Sequence, residues 1–200
     1  MKVKDFPNNT FFDSEPGGRE AAPGLLALVQ AFVNTREAER DWEALSDPES
    51  LRSWLRARGL LTNGGTIEDH DVARARDVRE ALRALLAANN RTAEVGGEAI
   101  RTLNRAAGRA GLTVRFGKDG RAALSTATGG VDGALGEVLA AVYGAMQGGT
   151  WERLKTCANE SCTWAFYDRS KNRSGQWCSM GVCGNRAKTR AYRRRRAEAG

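Results

Sequence analysis

The sequence predicts an α+β fold: a mainly helical N-terminal domain with one β-hairpin, then a small four-cysteine domain with a basic C-terminal helix. Three observations carry this. Apolar residues recur at helical spacing through most of residues 24–147. One stretch, Leu112 to Thr128, switches to a period of two around the turn Gly117-Lys118-Asp119-Gly120. All four cysteines fall between positions 157 and 183, in two C-x4-C pairs that run directly into a cationic tail.

The elements follow in order. Residues 1–22 are polar, with Phe11-Phe12 as a lead-in strand or a pair of anchors. Pro23-Gly24 opens a buried helix from Leu25 to Val33, since Pro is tolerated in a first turn and the following residues are nearly all apolar. Arg36 to Leu45 is charged, with Trp42 as its anchor. Ser46-Asp47-Pro48-Glu49 is a helix start, a capping residue followed by Pro; Leu51, Trp54, Leu55 and Arg58 then recur at helical spacing until Gly59. After a loop at Thr62-Asn63-Gly64-Gly65, a longer helix runs to about Ala88 with Val72, Ala75, Val78, Leu82, Leu85 and Leu86 as its stripe, and Asn89-Asn90 breaks it. A further helix over Thr92–Ala110 should bury Val95, Ile100, Leu103 and Ala107 and end at Gly111. The hairpin alternates Leu112, Val114 and Phe116 against Thr113 and Arg115. The last helix of this part carries Val131, Leu135, Val138, Leu139, Val142 and Met146 on one face. Gly148-Gly149 closes it and marks the boundary between domains at 1–149 and 150–200.

Charge separates the two parts. Residues 151–200 hold twelve Lys and Arg against four Asp and Glu, a net +8, whereas residues 1–150 hold nineteen against twenty, a net −1. Four thiolates on one zinc ion would reduce the C-terminal value to about +6. The excess points to a polyanionic partner for the C-terminal part. The apolar run Leu25–Val29 is far shorter than the roughly 20 residues of a membrane span. The start MKVKDFPNN has no apolar core after its lysines, so no export signal is read and a cytoplasmic location with reduced thiols is expected.

Zinc takes four ligands in a tetrahedron, and a short loop with a cysteine at each end supplies two neighbouring corners. Cys157 with Cys162 and Cys178 with Cys183 therefore form two knuckles of one site. A disulfide framework would need an oxidising compartment, and a catalytic zinc usually includes His or a carboxylate and an open position. Four sulfurs close the site, so the zinc is expected to be structural; redox sensing through the same thiolates is the alternative. Trp164 and Phe166 fall on one face of a short strand and Tyr167 on the other; with Trp151 and Trp177 they should wall the site, or else stack on bases. Gly184 would supply backbone freedom after the last ligand, and Asn185 would bond to the turn or cap the next helix. On that helix Arg186, Arg190, Arg193 and Arg194 share a face, flanked by Lys188, Arg195 and Arg196, and all seven are candidate phosphate contacts.

The N-terminal part contains no catalytic constellation, so no enzyme activity is expected. His70, the sole histidine, stands between Asp69 and Asp71 at a helix start and is read as exposed or capping.

The run C-x4-C-x-W-x-F-Y-D-x-S-K-x-R, then W-C-S-M-x-x-C-G-N-R-x-K, resembles the CGNR zinc-finger family, its name given by Cys183-Gly184-Asn185-Arg186. Where that family often has two basic residues before the second Trp-Cys, this chain has Gly175-Gln176. Leu26–Glu37, LALVQAFVNTRE, resembles the start of the ABATE domain that usually precedes the finger. The resemblance implies a bacterial transcription regulator linked to stress responses. It also implies duplex DNA as partner and a small-molecule ligand for the larger domain. Binding to RNA or the ribosome through the same finger is the competing reading. A homodimer is expected because one small finger reads few bases.

Overall fold

The computed structural model describes residues 20–61, 65–90 and 93–198. The expectations for Phe11-Phe12, for most of the Thr62–Gly65 loop and for a helix start at Thr92 lie outside the described residues. In chain order the elements are α1 (Leu26–Val33), β1 (Arg36–Glu37), β2 (Trp42–Glu43), α2 (Pro48–Ala57), α3 (Asp69–Asn89) and α4 (Gly97–Ala110). They continue with β3 (Thr113–Phe116), β4 (Ala122–Ser125), α5 (Gly130–Gln147), β5 (Leu154–Thr156), β6 (Ala165–Tyr167) and α6 (Asn185–Glu198). The strands form three separate antiparallel pairs, each joining consecutive strands.

Helix α3 is the central element and contacts α1, α2, α4, α5 and β5. Its stripe is buried at Val72, Ala75, Val78, Leu82 and Leu86. The Asp71 carboxylate closes its first turn by accepting from the Glu68 N–H at 2.9 Å. Helix α2 begins as its sequence requires: the Asp47 side chain accepts from the Ser50 N–H at 2.8 Å, with Pro48 in the first turn. His70 is largely exposed beside Glu68.

Several expectations are corrected. Helix α4 starts at Gly97, after the extended Gly96, so Val95 precedes it and is exposed. Ile100 continues the stripe one turn beyond the body and is exposed, while Ala106 and Ala110 carry the burial, with Leu103 and Ala107 partly covered. The small alanines let α4 lie close to α3 and α5. Trp42 lies on the two-residue strand β2 and is 42% exposed, while Leu45 just beyond is fully buried. In the hairpin, β4 packs against α5, yet Val114 and Phe116 are 60% and 76% exposed, because among the described residues the two-stranded ribbon has no second layer over its other face. Met146, at the end of the α5 stripe, is exposed for the same reason as Ile100.

The packing of α5 depends on two glycines. A Cβ at Gly136 would stand 2.5 Å from Thr126 Cγ2 and 2.6 Å from Ala110 Cβ, and one at Gly133 would collide with the Thr128 carbonyl. Neither obstacle is the loose end of a long side chain. Gly133→Ala is therefore expected to cost about 1–3 kcal/mol by overpacking, read as a lower urea midpoint at unchanged slope. Gly144→Ala is the control, since a Cβ there meets nothing within 4 Å.

The main hydrophobic core continues past residue 150. Trp151, Leu154, Ala165 and Tyr167 belong to the same buried cluster as Phe32, Leu82 and Leu135. A second, smaller cluster holds the four cysteines with Trp164 and Phe166, against which Trp177 packs. Strand β6 divides the two by its period of two, Ala165 and Tyr167 to one side and Trp164 and Phe166 to the other.

Candidate metal centre and nucleic-acid interface

The first knuckle hangs from the β5–β6 hairpin, whose register pairs Leu154 with Tyr167 and Thr156 with Ala165. The Cys157 N–H extends that ladder to the Trp164 carbonyl at 2.8 Å. The loop then tightens: the Cys162 and Thr163 amides donate to the Asn159 carbonyl at 2.8 and 3.2 Å, and Thr163 takes φ +50° to leave the turn. The second knuckle is a wide turn over Met180–Gly184, with the Gly184 N–H bonded to the Ser179 carbonyl five residues back at 3.0 Å. Ser179 Oγ accepts from the Val182 N–H at 3.3 Å and caps it.

These two loops bring all four Sγ atoms within 4.8 Å of one another, and every cysteine is buried. Cys162 and Cys178 are 3.6 Å apart at sulfur, and Cys178 and Cys183 are 3.7 Å apart. A tetrahedron with Zn–S bonds of about 2.3 Å has sulfur–sulfur edges of about 3.8 Å, so the cage fits zinc, whereas a disulfide requires about 2.05 Å. The cysteines are free thiols by this measure. Without a cation the sulfurs titrate against one another. Hydrogen bonds from Cys162 and Cys178 pull the Cys157 thiol far down, and the contact with Cys157, together with burial, pushes Cys162 up to about 12 and raises Cys178 as well. One thiolate is stabilised at the expense of its neighbours, and only a dication stabilises all four together. With four protein ligands no position is left for substrate, so the zinc holds structure.

A model for the CGNR zinc finger matches residues 153–196, and the ABATE model, whose description reads "Putative stress-induced transcription regulator", matches residues 26–149, more than half of the chain. The protein belongs to the ABATE family and carries a CGNR zinc finger. A comparison with curated proteins finds no match.

The CGNR finger is joined to the ABATE helices by buried amides. Asn34, at the end of α1, donates from Nδ2 to the Ala165 carbonyl at 2.9 Å and accepts at Oδ1 from the Ala165 N–H at 2.7 Å. It completes β6 as another strand would. Gln30, one turn earlier, donates to the same carbonyl at 3.4 Å. At the end of α3, Asn89 donates to the carbonyls of Trp151 and Leu154 at 3.0 and 2.9 Å, and Asn90 to those of Thr156 and Gln176 at 2.7 and 3.0 Å. Arg83 donates to Thr163 of the first knuckle and to Val33 of α1 at 2.8 and 2.6 Å. None of these roles was assigned from sequence. The signal was present for Gln30 and Asn34, two amides four residues apart inside an apolar helix, which must be paired if buried.

A buried ion pair organises the loop between the knuckles. Lys155 Nζ lies 2.8 Å from Asp168 Oδ2 and also donates to the carbonyls of Arg173 and Gly175 at 2.6 and 3.2 Å. Asp168 further accepts from the Ser170 and Gly175 amides at 2.9 and 2.8 Å. Burial pushes the Asp168 carboxyl up, but Lys155 and the Ser170 and Gly175 donors outweigh it and hold it down at about 2. Gly175 is tied to this arrangement, because a Cβ there would stand 2.8 Å from Asp168 Oδ1.

Helix α6 starts two residues after Cys183. Gly184 has no left-handed backbone; its role is room, since a Cβ would meet Met180 Sδ at 2.5 Å and Trp177 Cδ1 at 3.2 Å. Asn185 bonds to the turn as expected, donating to the Gly181 carbonyl at 3.1 Å. The seven basic candidates divide. Lys188, Arg193, Arg194, Arg195 and Arg196 are exposed along the helix. Arg186 and Arg190 are also exposed but are held by the protein: Arg186 lies 2.7 Å from Glu39 of the β1–β2 turn, and Arg190 donates to Asn159 Oδ1 at 3.0 Å. Of the aromatics, Trp164, Phe166 and Trp177 wall the cysteines, while Trp151 and Tyr167 belong to the main core. No helix among the described residues is long and apolar enough to cross a membrane.

Proposed function

We propose that this protein is a non-enzymatic DNA-binding transcription regulator in which the zinc centre aims α6 at duplex DNA. The carrying observation is that the helix leaves the metal site directly and exposes Lys188 and Arg193 to Arg196. A helix rooted on a closed tetrahedral site leaves it from a fixed point, which a groove-reading or phosphate-binding element needs. The description of the ABATE family supports the regulatory reading, and the near-neutral residues 1–150 leave α6 and its finger as the cationic face.

The test is salt-dependent binding of the zinc-loaded protein to duplex DNA. With three or four phosphates met, log affinity falls against log salt with a slope of roughly −3 to −4. Structured RNA at matched salt is the competitor. DNA binding with weaker RNA competition supports the regulator; preference for RNA, or no salt-dependent binding to duplex DNA, sinks it.

A further inference from the structure

Two polar residues beneath α6 have no place in zinc ligation or in the expected phosphate contacts. Asn159, in the first knuckle, is 3% exposed although its side chain is polar. Its Nδ2 lies 3.8 Å from Cys183 Sγ, at sulfur hydrogen-bond range, and 3.3 Å from Glu39 Oε1. Its Oδ1 accepts from Arg190 at 3.0 Å. Glu39 Oε1 accepts in turn from Arg186 at 2.7 Å and from Ser161 at 3.4 Å. One carboxylate oxygen and one amide thus connect a zinc ligand, the first two turns of α6 and the β1–β2 turn.

That turn is itself fixed. Asp41 takes φ +49° and pairs with Arg36 at 3.2 Å. On the adjoining strand Glu43 receives a two-pronged bond from Arg79 of α3 at 2.6 and 2.8 Å. Arg79 is 2% exposed and also donates to Thr35. The polar chain therefore runs from the middle of α3, through Glu43 and the turn, to Glu39 and onto α6. A helix attached at one end to a small metal loop would otherwise pivot about that attachment, and contacts one and two turns along remove the freedom.

We infer that Glu39 and Asn159 are positioning residues that splint α6 to the zinc site and to the helical body through Arg186 and Arg190. These two arginines set the direction of the helix, and phosphate contact falls to Lys188, Arg193, Arg195 and Arg196. The inference concerns the free protein; only its second measurement rests on the DNA-binding reading.

The first measurement is hydrogen exchange of the α6 amides at residues 188–192 in zinc-loaded protein, with zinc content determined on the same samples. Glu39→Ala lies on an exposed turn and is expected to retain one zinc while speeding exchange about two- to fivefold, the scale of an exposed ion pair with added hydrogen bonds. Arg186→Ala produces the same change, and adding Glu39→Ala to it produces no more. Unchanged exchange in Glu39→Ala, or fully additive effects, overturns the proposal. The second measurement is the salt slope of DNA binding: Arg193→Ala makes it shallower by about one unit, while Arg186→Ala weakens binding at unchanged slope. A slope loss of about one unit in Arg186→Ala assigns that residue to phosphate and overturns the splint. If the unmutated protein binds no duplex DNA, the regulator reading fails alone, and the exchange result still decides the role of Glu39.

Discussion

Cys183→Ser is expected to abolish zinc binding and to destabilise the whole protein, beyond the finger. A serine hydroxyl stays protonated near neutral pH and cannot replace a thiolate. Structural zinc in small domains contributes an apparent 10–16 kcal/mol of folding free energy, about the total stability of an ordinary domain. The wider effect follows from β6. Phe166 packs with the cysteines while its neighbours Ala165 and Tyr167 pack in the main core, so the strand cannot lose one side and keep the other. The buried Asn34 and Asn90 side chains and the half-buried Asn89 would also lose their backbone partners. Elemental analysis should find one zinc per chain before substitution and none after dialysis of the variant. Chelation of the unmutated protein should lower one thermal transition as a whole, by about 10 °C or more. Retained stoichiometry in Cys183→Ser would refute the ligand set. An upper transition indifferent to chelator would refute the coupling of finger and helices.

Lys155→Met is expected to have the second-largest effect, a loss of about 3–5 kcal/mol, because it leaves the buried Asp168 carboxylate without its counter-charge. The loop carbonyls of Arg173 and Gly175 lose their donor in the same change. The pH dependence carries a sign. The Asp168 carboxyl is held at about 2 in the folded protein, below the ordinary value of about 3.9. Its stabilising contribution is therefore complete above pH ~4 and is lost as pH falls from there through about 2. In Lys155→Met the Asp168 carboxyl loses the counter-charge that helped hold it down, so it rises and its acid-side loss shrinks: the gap between variant and unmutated protein is largest at pH 7 and narrows as pH falls. Urea midpoints between pH 3 and 7 measure this. Equal midpoints for the variant and the unmutated protein at pH 7 would show that the pair contributes nothing net.

Most elements were legible because their signals are local. Asp47-Pro48 starts α2, the stripe of α3 is periodic, and Gly111 ends α4 in a left-handed turn at φ +56°. The alternation of Trp164, Phe166 and Tyr167 across β6 could likewise be read from the order of residues. The failures were of context. Val114 and Phe116 alternate as a half-buried strand should, but no second layer among the described residues covers them. The size of Trp42 suggests an anchor, yet it is 42% exposed and the fully buried residue of its segment is Leu45. Gly184 was assigned backbone freedom, whereas what it supplies is space beside Met180 and Trp177.

By itself the sequence determined the metal. Two C-x4-C knuckles can close one tetrahedral site, and covalent adjacency roots the cationic helix that follows Cys183 on it. The tertiary structure decided which charges on that helix remain available. Arg186 and Arg190 look the same as Arg193 in a one-dimensional pattern, yet Glu39, 147 residues before Arg186, and Asn159 take up those two. Their pairing depends on a β-turn of the helical body lying against the first knuckle, a long-range contact that no local propensity encodes.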